Sequence, residues 1–235
     1  MEVFSMSEVI YSGKTKDIYQ GAEENQLVLK FKDDVTGVDG VFDPGANQVG
    51  LSIEGVGQVG LRLTKYFYSK LNEAGFPTHF VDADIENNTM TVRKAQVFGK
   101  GLEVITRFKA TGSFVRRYGD YVTEGTPLNA YVEVTLKDDD REDPYITKDA
   151  LALLDIMSND QYEELVATTK EIASFVRDDI AAHGLEVFDI KLEFGFDAVT
   201  GKVILIDEIS GGNMRVFDNG EYVLPLNLIN YFLEA

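Results

Sequence analysis

Gly13-Lys14-Thr15-Lys16 sets two lysines two residues apart behind a glycine. In a strand, that spacing puts both ammonium groups on one face and Thr15 on the other, and Gly13 lets a ligand come close to the backbone. Adjacent like charges are unfavourable unless an anion such as a polyphosphate compensates them. An edge strand guarded by lysines would show the same pattern. The spacing is not that of a Walker loop, and no helix pattern follows it.

A second group lies toward the C-terminus. In Phe188-Asp189-Ile190-Lys191-Leu192-Glu193-Phe194, alternation places Phe188, Ile190, Leu192 and Phe194 on one face and Asp189, Lys191 and Glu193 on the other. If the hairpin closes about a turn at Asp197 to Gly201, Glu193 lies opposite or diagonal to Asp207, with Glu208 pointing away. Facing carboxylates are tolerated when a cation sits between them. Oxygen ligands without histidine or cysteine suit magnesium shared with nucleotide phosphates. A solvated face neutralised by Lys191 is the competing reading.

The third group, Arg107 through Arg117, is the densest basic stretch of the chain. Gly112-Ser113 leading into a short helix would offer backbone N–H groups, a hydroxyl and a positive helix end to a phosphate monoester, with Arg107 able to clamp it bidentately. A capped helix with solvated arginines is the alternative. Lys137, which opens the charged loop Lys137 to Pro144, could reach a nucleotide.

These groups need a scaffold of strands. Val9 to Gln20 and Gln26 to Lys32 read as a hairpin about the turn Gly21 to Asn25. Asp33 to Gly60 is glycine-rich and irregular, and is expected to form a partly ordered flap. A helix is expected from Leu61 to Ala74, stopped by Gly75 and Pro77, then strands near Thr78 to Val81, Thr89 to Lys94 and Leu102 to Phe108. The clearest helix runs from Gln161 to His183, with Ser158 and Gln161 forming a capping box and Gly184 as its stop. Strands Val187 to Phe194 and Lys202 to Ser210 follow. Because strands cluster rather than alternate with helices, the expected class is α+β with antiparallel sheets. The apolar tail Tyr222 to Leu233 could pack on its own lobe or on a partner subunit in a homo-oligomer.

Composition narrows the function. With 235 residues the chain can bury a sizeable core, and its 44% apolar content is that of a globular protein. The absence of cysteine excludes disulfides, thiolate metal sites and cysteine nucleophiles. A net charge of -18 disfavours nucleic acid and anionic membranes as partners. Met1 to Met6 lack the features of a signal peptide, and no apolar run approaches a membrane span, so a cytoplasmic location is expected.

Taken in order, these stretches resemble the phosphoribosylaminoimidazole-succinocarboxamide synthase (SAICAR synthetase) family. The resemblance is carried by Tyr11-Ser12-Gly13-Lys14-Thr15-Lys16-Asp17-Ile18-Tyr19, by Glu103 through Arg117, and by Leu136-Lys137-Asp138-Asp139 with Asp143-Pro144. Phe188 through Gly195 and Asp207-Glu208-Ile209-Ser210 followed by Arg215 complete it. It implies a two-lobed fold with ATP between the lobes: a nucleotide-binding lobe over residues 1–97 and a metal and substrate lobe over 98–235. The implied reaction is ATP-dependent amide formation between an imidazole nucleotide carboxylate and L-aspartate, through an acyl phosphate. Carried onto this chain, the resemblance gives ATP to Lys14, Lys16, Lys94, Lys137 and Asp207. It gives Mg2+ to Glu193 and Asp207, and the imidazole nucleotide to Arg107, Ser113, Arg215, Lys191 and Glu103, with Lys14, Lys191 and Asp207 as the catalytic set. His79 and His183 are expected to be structural. The chain departs from the family pattern at Gly211-Gly212, at Val56 to Gly60, and in an insertion over roughly Phe42 to Ser52, all in the flap or on the substrate side.

Overall fold

A computed structural model describes residues 8–43 and 48–232. The N-terminal hexapeptide, the Pro44 to Asn47 part of the flap and insertion, and Leu233 at the end of the tail lie outside the described residues. Every pairing between named strands is antiparallel, as the clustering of strand patterns predicts.

The chain starts with strands β1 (Val9–Ser12), β2 (Lys16–Gln20) and β3 (Gln26–Phe31). The expected single strand from Val9 to Gln20 is therefore broken: residues 13–15 turn the chain, and the N–H of Gly13 donates to the carbonyl of Lys16 at 2.8 Å. The flap is more ordered than its glycine content suggests. It forms a small sheet, β5-β4-β6, from β4 (Asp34–Val38), β5 (Val41–Phe42) and β6 (Val49–Ser52).

Helix α1 (Val56–Glu73) begins five residues before the expected start. Val56-Gly57-Gln58-Val59-Gly60 reads as loop, but its cap comes from elsewhere: the Asp33 carboxylate accepts the N–H groups of Gly55 and Gly57, both at 3.0 Å. An acceptor at the helix start satisfies donors that have no partner within the helix. Gly57 is required there, since a Cβ would lie 2.5 Å from the carbonyl oxygen of Lys32.

Beyond α1 come β7 (Phe80–Asp84) and β8 (Thr89–Arg93), which complete a five-stranded sheet in the order β1-β2-β3-β8-β7. The next strand, β9 (Ala95–Val97), already belongs to the second sheet. That sheet also takes β10 (Leu102–Lys109) and, after α2 (Gly112–Tyr118), β11 (Pro127–Leu136). Helices α3 (Lys148–Leu153) and α4 (Asn159–Ala182) follow, α4 opened by the expected Ser158/Gln161 capping box. Strand β12 (Glu186–Asp197) is the axis of the second sheet. Its first half pairs with β10 and β14 (Met214–Asp218), its second half with β13 (Val203–Ile206) and β9. β15 (Glu221–Tyr222) lies at one edge.

The final helix, α5 (Pro225–Leu228), and the turn after it settle the tail: it packs on its own chain, with Phe232 edge-on to Tyr66 and Phe67 of α1. The sheets are joined by buried polar contacts. Tyr68 of α1 donates its hydroxyl to the carbonyl of Ile206 at 2.8 Å, and the N–H of His79 donates to the carbonyl of Leu205 at 2.9 Å. One cavity opens along this seam, and a second adjoins it against β10, β11 and α2.

Candidate active site

The first cavity, about 840 Å³, lies between the five-stranded sheet and the end of β13. Its apolar wall comes from Ile18, Leu27, Leu29, Val92 and Ile206, a lining suited to an apolar ring. Its polar end is built by the turn at residues 13–15. Lys14 sits in that turn and Lys16 opens β2, so they do not share a face by strand alternation as the spacing predicts, yet both line this cavity.

Lys16 is buried and reaches across to the second sheet, 3.0 Å from Asp207 and 2.5 Å from Glu208. Burial works against its charge, but the two carboxylates outweigh it and hold the ammonium above the ordinary lysine range. Glu208 therefore points into the site and not away. β13 ends at Ile206, and Asp207 adopts a left-handed backbone (φ 66°), which breaks the alternation and turns both acids the same way.

Glu193 pairs in register with Ile206, one residue short of Asp207. Lys137, after β11, holds Glu193 at 2.5 Å. Burial would push Asp207 up, but Lys16 and Lys137 outweigh it and hold the carboxyl well below its usual range. Burial and the Asp207 charge push Glu193 up. Such a pair fits a divalent cation. Among the described residues no three histidine, cysteine or acidic side chains form a protein-only cage, and magnesium characteristically takes one or two carboxylates and completes its shell with phosphate oxygens and water. His79 lines this cavity with Nε2 3.2 Å from the Asp207 carbonyl, and burial lowers its ring to about 4, so it is neutral at pH 7. His183 packs against Phe232, outside both cavities.

The second cavity, about 860 Å³, is lined by Arg107, Ser113, Arg116, Arg117, Arg141 and Arg215, among others. Behind it runs a ladder of charges. The buried Arg107 is held by Glu133 and Asp189; Glu133 also holds Arg117, and Asp189 also holds Arg215 at 2.8 Å. Arg215 continues to Asp43 of the flap at 3.3 Å. Gly112 (φ 53°) lies against the Arg215 guanidinium, 2.7 Å from where a Cβ would stand. The two cavities share a wall formed by Glu103, Asp139, Asp143, Lys191 and Asn213. There Lys191 contacts Glu103 at 2.7 Å, and burial of the ammonium is outweighed by Glu103, which raises it.

The structure thus brings Lys14, Lys16, Lys137, Glu193 and Asp207 to the first cavity, Arg107, Ser113 and Arg215 to the second, and Glu103 and Lys191 to their shared wall. It does not bring Lys94, whose Nζ donates to Gln20 at 3.1 Å and which lines neither cavity. Sequence reading missed Glu208, Asp139, Asp43 and Glu133. For Glu133 a signal was available: Val132, Val134 and Leu136 alternate with Tyr131, Glu133 and Thr135, a strand pattern that puts the glutamate beside Arg107. Gly211 is explained by packing, since a Cβ would lie 2.7 Å from the Cα of Pro225. Asn213 then ties the carbonyls of Lys191 and Glu208 together at 3.0 and 2.6 Å.

Comparison with known proteins agrees with this geometry. The SAICAR synthetase family profile matches residues 9–227. A phosphoribosylaminoimidazole-succinocarboxamide synthase of Clostridium tetani is 54% identical over 226 residues, covering 96% of this chain and 99% of that protein. Among solved structures, a SAICAR synthetase in complex with ADP superposes with a TM-score of 0.81 at 29% identity, covering 97% of this chain and 91% of the other. A SAICAR synthetase from Pyrococcus horikoshii does so with a TM-score of 0.77 at 27% identity, covering 93% and 94%.

Proposed function

The chain belongs to the SAICAR synthetase family, and on that premise we propose how its two cavities divide the work. It is an ATP-dependent ligase of purine biosynthesis, joining the carboxylate of 5-amino-1-(5-phosphoribosyl)imidazole-4-carboxylate to the amine of L-aspartate. The first cavity takes ATP, with the base in the Ile18/Leu29/Val92 slot and the phosphates over Lys14, Lys16 and Lys137. Glu193 and Asp207 would hold Mg2+, which would supply neutralisation of the phosphate charge. Lys94, bonded to Gln20 outside both cavities, is left out of this assignment. We assign residues 1–97 to the nucleotide lobe and 98–235 to the metal and substrate lobe, with β9 at the boundary crossing over to pair with β12.

The second cavity takes the imidazole nucleotide. Arg215, Ser113 and the Arg107 edge bonded to Ser113 receive its 5′-phosphate, which sends the carboxylate toward Lys191 at the shared wall. A carboxylate oxygen attacks the terminal phosphorus of ATP and ADP leaves. The aspartate amine then attacks the acyl carbon, and inorganic phosphate departs. Charge accumulates on phosphoryl oxygens in these steps, so Lys14, Lys16 and Lys137 over the phosphates and Lys191 at the wall do most of the catalysis, by position and electrostatics. Lys191 can bridge the carboxylate and the transferring group because both cavities open onto it. That shared wall is the observation that carries the reading.

A cytoplasmic site of action on small molecules completes it. No helix among the described residues is long and apolar enough to cross a membrane. The test is ADP release from purified protein given ATP, Mg2+, aspartate and the imidazole nucleotide. Turnover that depends on aspartate is expected; turnover with another amino acid and none with aspartate would overturn the assignment.

A further inference from the structure

Resting on the reading of the second cavity as the phosphate site, we propose that Glu133 is a positioning residue, which fixes Arg107 and Arg117 so that the mouth of that cavity is preset for a phosphate monoester. Glu133 lies on β11 opposite Ile105 and is fully buried. Its Oε1 accepts from Nε and one terminal nitrogen of Arg107, at 2.9 and 2.5 Å, and its Oε2 accepts from Arg117 at 2.5 Å. One carboxylate therefore orients two guanidinium planes.

Arg107 has five N–H donors, and all five are engaged: two on Glu133, one on Asp189 at 2.8 Å, one on the Thr111 carbonyl at 3.3 Å and one on Ser113 Oγ at 2.7 Å. Only the Ser113 bond is part-buried and the other four are buried, so it is the one that can be exchanged for a phosphate oxygen. With Glu133 in place, Arg107 holds both Thr111 and Ser113 at the start of α2. Arg117 is a third exposed and lines the cavity, tied back by its bond to Oε2 and lying over the Tyr118 ring.

The charge of Glu133 and its geometry predict opposite outcomes. Three arginines here face two buried carboxylates, so deleting one negative charge strengthens the positive field at the cavity. If Glu133 acted only through that field, its loss would tighten binding of a phosphate dianion. If it acts by holding two arginines in place, its loss loosens them and weakens binding, since small misplacements of binding groups are costly.

The experiment is steady-state kinetics on the full chain. Glu133→Gln should raise the KM for the imidazole nucleotide by about tenfold or more, with the KM for ATP within about twofold of wild type. Glu133→Asp keeps the charge but not the reach, and should be impaired in the same direction. A lower or unchanged nucleotide KM in Glu133→Gln, or a wild-type KM in Glu133→Asp, overturns the proposal. Should neither fold, Arg117→Ala removes one partner from the exposed side. A several-fold rise in the same KM then supports the proposal, and an unchanged KM overturns it. Arg215→Ala, measured in parallel, separates this from the underlying reading. An unchanged nucleotide KM there refutes the phosphate site itself, whereas a raised KM there with none in the Glu133 variants refutes only the positioning role.

Discussion

The two cavities are of nearly equal volume, about 840 and 860 Å³, but they hold charge differently. In the first, lysines rest on carboxylates: Lys16 and Lys14 reach from the five-stranded sheet and its turn to Asp207, Glu208 and Asp139, and Lys137 holds Glu193 on the side of the second sheet. An ammonium is a compact point charge on a flexible stem and can trade one partner for another. These pairs are therefore ready to be exchanged when polyphosphate and a cation arrive. In the second, Arg107 is locked by several bonds to Glu133 and Asp189, carboxylates buried in one sheet that also hold Arg117 and Arg215, a preset frame for a ligand that need not be reorganised. The lysine side is a site that rearranges, and the arginine side is one that waits.

The sharpest break of that comparison is Asp207→Asn. Asparagine tolerates the left-handed backbone of Asp207, so the fold should persist while kcat falls by roughly a thousandfold or more, as expected when a group stabilising transition-state charge is lost. ADP release together with circular dichroism checks both halves; near-normal turnover would remove Asp207 from the metal site. Arg215→Ala comes next. It should raise the nucleotide KM by about thirtyfold to a hundredfold, equivalent to roughly 2 to 3 kcal/mol, and leave that of ATP within about twofold. Equal effects on both KM values would show that the cavities are not separable. Gly112→Ala is milder. It forces a left-handed alanine against the Arg215 guanidinium, at a cost of about 1 to 3 kcal/mol, and should raise the nucleotide KM several-fold with a small drop in melting temperature. A variant with unchanged KM would show that Arg215 can move, against the locked-frame view.

Legibility in the sequence follows the same division. Local patterns read well: the Ser158/Gln161 cap of α4, the alternation along β12 and the hairpin of β2 with β3 all depend on residues a few positions apart. The near-opposition of Glu193 and Asp207 was readable because the intervening turn is marked by Gly201. What failed depended on distant partners or on single backbone angles. The start of α1 is set by Asp33, more than twenty residues upstream. Glu208 enters the site only because Asp207 takes φ 66°, which no side-chain pattern announces. Lys14 and Lys16 converge through a turn, not a strand, so the expected convergence came from a wrong geometry. The arginine ladder was half visible: Arg107, Asp189 and Arg215 are basic and acidic residues in plain strands, but Glu133 sits in a strand interrupted by positive φ at Asn129 and Ala130, for which the sequence reading assigned no element.

Within the lysine side, Lys14→Ala gives the finest test, because Lys14 and Lys16 line one cavity in different settings. The Lys14–Asp139 contact joins half-exposed groups at 2.6 Å, and such surface pairs contribute about 0 to 1 kcal/mol. Lys16 is buried on two carboxylates, and removing one partner of a buried pair leaves charge uncompensated. Lys14→Ala should therefore leave the melting temperature within about 2 °C of wild type, while the apparent KM for ATP rises by about threefold to tenfold, the scale of one charge-assisted contact to phosphate. The nucleotide KM should not move. Lys16→Ala should lower both melting temperature and activity. If Lys14→Ala destabilises the fold as much as Lys16→Ala does, the Lys14–Asp139 bridge is a structural strut between the sheets, and the exchangeable character assigned to the lysine side fails at the residue where exchange is easiest.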